Sequence, residues 1–205
     1  MTEGSEFDAK AREWDDAGKI ERARQVADAI ATAIPWLWRA QVLEYGAGTG
    51  LLGFALRNHA AHITLADSSR EMLAVAVEKI KAARASDLSI LSLDLTTDPP
   101  PATRFDVVCS LLTLHHVPDT AGLLRTFHGM ILPGGALCIA DLDAEDGSFH
   151  GAGVNVHPGF ERTALRDLLE AAGFADVRYQ TACEVERPVG SGRRYPVFLA
   201  TARRP

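Results

Sequence analysis

From residue 41 onward, short apolar runs alternate with longer amphipathic stretches, and this rhythm predicts the fold. The runs at 41–45, His62–Ala66, Leu88–Leu93, Phe105–Ser110 and Ala136–Ala140 have strand length and strand composition. Between them, Thr49–Asn58, Ser69–Arg84 and Thr120–Ile131 place apolar residues at helical spacing. A proline-rich loop (Asp98 to Pro101) precedes the fourth strand, and Pro133-Gly134-Gly135 turns into the fifth. Strands alternating with helices predict a parallel sheet covered on both faces. Right-handed crossovers make it a doubly wound, Rossmann-like sheet. Ahead of it, residues 7–34 read as helix, through Phe7, Ala11 and Trp14 and then Ile20, Ala23, Val26, Ala27 and Ile30. Gly18 is expected to divide this helix and Pro35 to end it. After the fifth strand comes a polar loop over 141–159, then a helix at Arg162–Ala172 stopped by Gly173. Two long strands close the chain, Asp176–Glu186 and Tyr195–Ala200. Their short link, Pro188 to Gly192, permits only a hairpin, hence an antiparallel pair. The expectation is an α/β seven-stranded sheet, mostly parallel, in a single domain.

Composition narrows the partners. A length of 205 residues suits one α/β domain with a full core. With a net charge of −6 and no basic block, nucleic acid is not expected as a partner. No apolar run has the length of a membrane span and the N-terminus is acidic, unlike a signal peptide. Cys109, Cys138 and Cys183 form no CxxC pair, which suggests reduced thiols and a cytoplasmic protein.

Candidate chemistry begins at Val42-Leu43-Glu44-Tyr45-Gly46-Ala47-Gly48-Thr49-Gly50, a strand, a glycine turn and a helix start. Glycines let backbone approach a ligand closely, and the N–H groups opening the helix favour a polar or anionic ligand atom. A nucleotide-like cofactor is expected. Gly48-Thr49-Gly50-Leu51-Leu52-Gly53 also satisfies G-x-G-x-x-G, with Asp67 downstream, as in an NAD(P)-dependent reductase. Against that reading, Tyr45, Gly46 and Ala47 intervene between strand and first glycine, and no Tyr-x-x-x-Lys pair is present.

Several motifs in order resemble the class I S-adenosylmethionine-dependent methyltransferases, from about residue 41 to the C-terminus. Residues 42–50 resemble the family's E/D-x-G-x-G-x-G, and Asp67-Ser68-Ser69-Arg70-Glu71-Met72-Leu73 its D-x-S-x-x-M-L. Asp94-Leu95, Phe105-Asp106-Val107-Val108, Leu114-His115-His116, Pro133-Gly134-Gly135 and the final hairpin resemble later parts. Residues 1–40 are expected as a helical cap on the sheet or a lid over the ligand, and the resemblance implies 41–140 as the cofactor-binding core and 141–205 as the acceptor side. It implies S-adenosylmethionine as cofactor, S-adenosylhomocysteine as product, and cofactor contacts at Glu44, Gly46, Ala47, Gly48, Gly50, Asp67, Ser68, Met72, Asp94, Leu95 and Ser110. Asp67 would accept from the ribose hydroxyls and Asp94, with Leu95, would meet adenine. Glu44 would orient the turn or meet the ligand's cationic end, and Ser110 would line the methyl end.

Methyl transfer from a sulfonium is an in-line displacement that needs alignment, and a base only if the acceptor must lose a proton. The candidate bases are His115 and His116 after strand four and His150 and His157 in the following loop, since imidazole titrates near neutrality. Phe7, Trp14, Phe149 and Phe160 would line a pocket for a small-molecule acceptor, with no membrane partner. No metal is expected: Asp141-x-Asp143-x-Glu145-Asp146-Gly147 departs from a calcium loop, and His150 and His157 have no third ligand at sequence spacing. Cys109 and Cys138 fall in strands, against a thiol-using arsenic methyltransferase. The alternative from another class is a protein that binds the cofactor without catalysing transfer.

Overall fold

A computed structural model describes residues 8–150, 154 and 156–205. Seven strands form one sheet in the order β3-β2-β1-β4-β5-β7-β6. They are β1 (Gln41–Tyr45), β2 (His62–Asp67), β3 (Leu88–Ser92), β4 (Phe105–Leu111), β5 (Ile131–Leu142), β6 (Ala175–Glu186) and β7 (Arg194–Arg203). Pairing is parallel from β3 through β5, and β7 runs antiparallel to both β5 and β6.

The helices are α1 (Ala17–Ala33), α2 (Leu51–Leu56), α3 (Arg70–Ala83), α4 (Thr120–Met130) and α5 (Arg162–Ala171). Alternation along β1 sends Val42 to a core shared with Val26, Ile30, Leu52 and Ala76, and Leu43 to a core shared with Leu124, Phe127 and Leu169. Helices α1, α2 and α3 therefore cover one face, and α4 and α5 the other. All three cysteines are buried free thiols, behaving as small apolar residues. No helix among the described residues is long and apolar enough to cross a membrane.

The departures from expectation lie at boundaries. The N-terminal helix breaks before Gly18, because Asp16 caps α1 by accepting the Lys19 N–H (2.8 Å). Strand β5 begins at Ile131, carrying the expected Pro133-Gly134-Gly135 turn within it. Ile131 pairs with Phe105 before the register shifts. The sheet order has a functional consequence. The chain builds outward from β1 to β3 and then crosses back to lay β4 on the other side of β1. The crevice at the carboxyl ends of β1 and β4 is thus the topological switch point, where open α/β sheets bind ligands.

Candidate cofactor and acceptor site

The turn after β1 is built by glycine and acid together. Gly46 has φ of +70°, and a Cβ there would lie 2.3 Å from the Thr113 side chain, so no other residue fits. Thr113 follows β4, and this contact brings the two loops of the crevice together. Ala47 ties the turn to β2 by donating its N–H to the Ala66 carbonyl (2.9 Å). Gly48 faces open space whose nearest walls are Trp14 Nε1 and Met72 Sδ, at 3.8 and 3.9 Å from where its Cβ would stand. Gly50 takes a left-handed conformation at the start of α2.

Glu44 lies beneath the turn, 2 % exposed, and its Oε2 accepts the Gly53 N–H at 2.8 Å. Desolvation raises its pKa to about 8. Through the Gly53 bond the carboxyl holds the start of α2 against the end of β1. Gly53 completes the G-x-G-x-x-G string for a packing reason, since a Cβ there would sit 2.3 Å from Leu65.

Asp67 closes β2 with Oδ2 accepting from Gly48 N–H (2.6 Å) and Oδ1 from Ser69 N–H (2.8 Å). Burial pushes its pKa up, against the pull of these hydrogen bonds. Ser68 is exposed beside it, while Ser69 caps α3 by accepting the Met72 N–H (3.1 Å). Asp94 Oδ1 closes its own turn, accepting from the Thr96 N–H (2.9 Å) and hydroxyl (2.6 Å). Leu95, expected beside adenine, donates its N–H to the Tyr45 hydroxyl (3.1 Å).

The N-terminal segment straps this turn. Asp8 accepts from the Ser69 hydroxyl (2.5 Å), Asp15 accepts from Lys79 Nζ (2.7 Å) and from the Thr49 hydroxyl, and Trp14 stands over Gly48. Phe7 lies outside the described residues.

The histidines converge across the crevice. His115 and His116 occupy a single 3₁₀ turn after β4, and His150 arrives from the loop after β5. Their ring centroids are 4.1 Å (His115–His116), 4.9 Å (His115–His150) and 5.3 Å (His116–His150) apart. Asp141, at the end of β5 and fully buried, organises the group. Its Oδ1 accepts from His115 Nδ1 (2.6 Å) and Leu142 N–H (2.7 Å), and its Oδ2 from the N–H groups of Leu114 (2.9 Å) and His115 (3.3 Å). With Nδ1–H turned to the carboxylate, His115 presents Nε2 as a lone pair, and that atom is buried without a hydrogen-bond partner. His150 Nε2 is likewise buried without one. Burial, with the neighbouring His115 and Arg187, lowers the His150 pKa to about 4, so its ring is neutral at pH 7.

His157 stands apart. Its ring stacks on Phe160 (4.7 Å) and only its backbone touches the group, donating to the His115 carbonyl (2.8 Å). The aromatic set divides in the same way. Phe149 packs against His150 (4.9 Å) and Tyr195 (5.2 Å), with Arg187 over its ring (5.0 Å). Phe160 is buried in the core on the α4–α5 face. Ser110 is 2 % exposed with its hydroxyl unpartnered. Near Arg187, Arg22 of α1 has a buried Nε with no partner, and its pKa is lowered chiefly by desolvation.

Sequence reasoning missed Thr113, Asp141's bond to His115, and the strap bonds of Asp8 and Asp15. Asp141 was visible only as one acid in an acidic loop. Nothing in a single sequence pairs it with a histidine 26 residues earlier.

A family model described as a methyltransferase domain matches residues 19–179. The ubiquinone biosynthesis O-methyltransferase of Pseudomonas aeruginosa (strain UCBPP-PA14) is 28 % identical over 146 residues, 68 % of this chain and 62 % of the relative's length. A SAM-dependent methyltransferase from Aquifex aeolicus superposes with a TM-score of 0.71 at 19 % identity, covering 97 % of this chain and 98 % of that one. Phosphoethanolamine N-methyltransferase 2 of Haemonchus contortus, solved with S-adenosyl-L-methionine, gives 0.69 at 15 %, covering 87 % and 52 %.

Proposed function

We propose, from the premise that the chain belongs to the S-adenosylmethionine-dependent methyltransferase family, that it methylates a hydroxyl group of a small molecule. When bound, S-adenosylmethionine supplies an electrophilic methyl group on a sulfonium. The residues present suit that cofactor: backbone open to close approach at Gly48, soft walls from Met72 and Trp14, and the Asp67 carboxylate at the end of β2. Asp67 would hold the ribose hydroxyls and Asp94 the adenine amine, while Glu44 keeps the turn in shape from below.

The observation that carries the hydroxyl reading is the buried His115–Asp141 pair at the switch point. Asp141 fixes the tautomer and His115 Nε2 is the lone pair facing the acceptor, placed to take its proton as oxygen attacks. The similarity to ubiquinone biosynthesis O-methyltransferases favours oxygen over nitrogen or sulfur as the acceptor atom. Arg187, which lies over the Phe149 ring and near His150 and has no carboxylate bonded to it among the described residues, favours an acceptor that carries an acidic substituent on an apolar or aromatic body.

The test pairs calorimetric titration with S-adenosylhomocysteine and a radiolabelled methyl-transfer screen over hydroxylated aromatic acids. His115→Ala should bind S-adenosylhomocysteine as the parent does and lose most turnover. Binding without product on any acceptor would favour a protein that binds the cofactor without catalysis. Full turnover in His115→Ala would remove the base and leave alignment alone as the mechanism.

A further inference from the structure

Two buried imidazole nitrogens, Nε2 of His115 and Nε2 of His150, have no hydrogen-bond partner among the described residues, and native proteins leave few such atoms unsatisfied except where an ion or water belongs. Here they belong to one group. His115, His116 and His150 each offer a ring nitrogen, and all three atoms lie within 4.8 Å of one another. The expectation of no metal rested on spacing along the chain. It overlooked that a 3₁₀ turn and a loop from the next strand meet at one point.

We propose that His115, His116 and His150 bind a divalent transition-metal ion of the zinc class. Three features carry this. The donor set is three imidazoles, which suits zinc and its neighbours, and three protein ligands leave a fourth position open, the arrangement of a reactive rather than a purely structural site. His115 already has the outer-sphere partner that metal-bound histidines characteristically have: its Nδ1 is on the Asp141 carboxylate (2.6 Å), which orients Nε2 and raises its basicity. The closure needed is small. Metal–nitrogen bonds of about 2.0–2.1 Å in a tetrahedron put the nitrogens about 3.3 Å apart. His115 is held by Asp141, so the proposed site requires the His116 and His150 rings to move toward it.

Ion binding does not depend on the methyl-transfer reading; only the use of the open position does. In that reaction the ion held by these histidines would supply Lewis-acid stabilisation of the acceptor's hydroxyl oxygen as its proton is lost. The hydroxyl proton leaves to solvent, the O–C bond forms as the C–S bond breaks, and that bond's electron pair stays on sulfur, leaving a neutral thioether. His115 Nε2 is then a ligand instead of a base, so the ion and the proton-accepting role are alternatives at one atom.

The experiment uses the untagged full chain, stripped with a chelator and titrated with Co²⁺ under an absorption readout and with Zn²⁺ by calorimetry. Expected is one ion per chain, with visible cobalt bands of the intensity that tetrahedral sites give. His116→Ala and His150→Ala should each weaken binding at least tenfold and together abolish the bands, whereas His157→Ala should leave them. S-adenosylhomocysteine affinity, measured on every variant, reports folding and the cofactor reading separately. Absence of saturable binding, or bands that persist in the double variant, overturns the site. Loss of S-adenosylhomocysteine binding by the parent protein would count against the methyltransferase reading and leave the metal result standing.

Discussion

Replacing Asp141 with Asn tests the organisation of the crevice with a change of one atom. The carboxylate accepts four hydrogen bonds, two on each oxygen, and all of them are buried. An amide keeps one oxygen and turns an NH₂ toward the other pair of donors. If the NH₂ replaces Oδ2, the Leu114 and His115 N–H groups lose their acceptor and face another donor. If it replaces Oδ1, the Leu142 N–H is stranded, and His115 must move its proton from Nδ1 to Nε2 to accept from the amide. Each stranded buried donor costs about 1–3 kcal/mol, so Asp141→Asn should lower stability by about 2–6 kcal/mol in the first arrangement, which strands two donors, and by about 1–3 kcal/mol in the second, which strands one. In the second arrangement Nε2 becomes a donor and can neither accept a proton nor ligate a metal. Urea unfolding gives the first quantity, and long-range ¹H–¹⁵N correlation of the histidine rings gives the second. A purely packing role would lower stability without moving the His115 tautomer. If the variant shows parental stability and the parental tautomer, the carboxylate does not organise the site and the argument from His115 fails.

Three further outcomes follow from the geometry. Glu44 should make the protein lose stability toward alkaline pH. Its folded pKa of about 8 lies above the ordinary 4.5, so the fold favours the protonated form; its contribution is complete below pH 4.5 and disappears as pH rises through 8. The difference corresponds to about 3–5 kcal/mol, and Glu44→Gln, which stays neutral and still accepts from Gly53, should flatten the profile and be the more stable protein at pH 9 by thermal unfolding. Gly46→Ala forces a side chain onto a +70° φ and into Thr113, so urea unfolding should show a loss of about 2–4 kcal/mol. Adding Thr113→Ala should return only part of it, because the Thr113 Cβ itself lies 2.8 Å from the new atom. Trp14 walls the space above Gly48, so S-adenosylhomocysteine should shift the tryptophan emission of the parent and leave that of Trp14→Phe unchanged; an equal shift in both would place the ligand elsewhere.

The chain by itself determined the seven-stranded α/β sheet and the glycine turn, because both are written in local periodicities. Strand and helix register follows from apolar spacing, and the turn from glycines where β1 ends. Gly46 and Asp67 could be placed after β1 and at the end of β2 for the same reason, but the contacts that hold them, with Thr113 and with Gly48, come from other strands' loops. The helix break was expected at Gly18 and falls two residues earlier, at the Asp16 cap; the early start of β5 was not legible, since it depends on Ile131 pairing with Phe105 of another strand. The tertiary structure alone decided which histidines and phenylalanines meet after β4 and β5. Sequence distance treats His150 and His157 alike, yet one ring joins His115 and His116 while the other stacks on Phe160. Phe149 and Phe160 part in the same way, to opposite faces of the sheet. Side chains on loops after different strands meet only because β4 and β5 are neighbours and end at the same edge. That adjacency is a property of the sheet order, which no local pattern contains. Asp141 is the clearest instance: an acid legible only as the first residue of a pattern that departs from a calcium loop becomes, once β5 lies beside β4, the carboxylate bonded to the His115 ring.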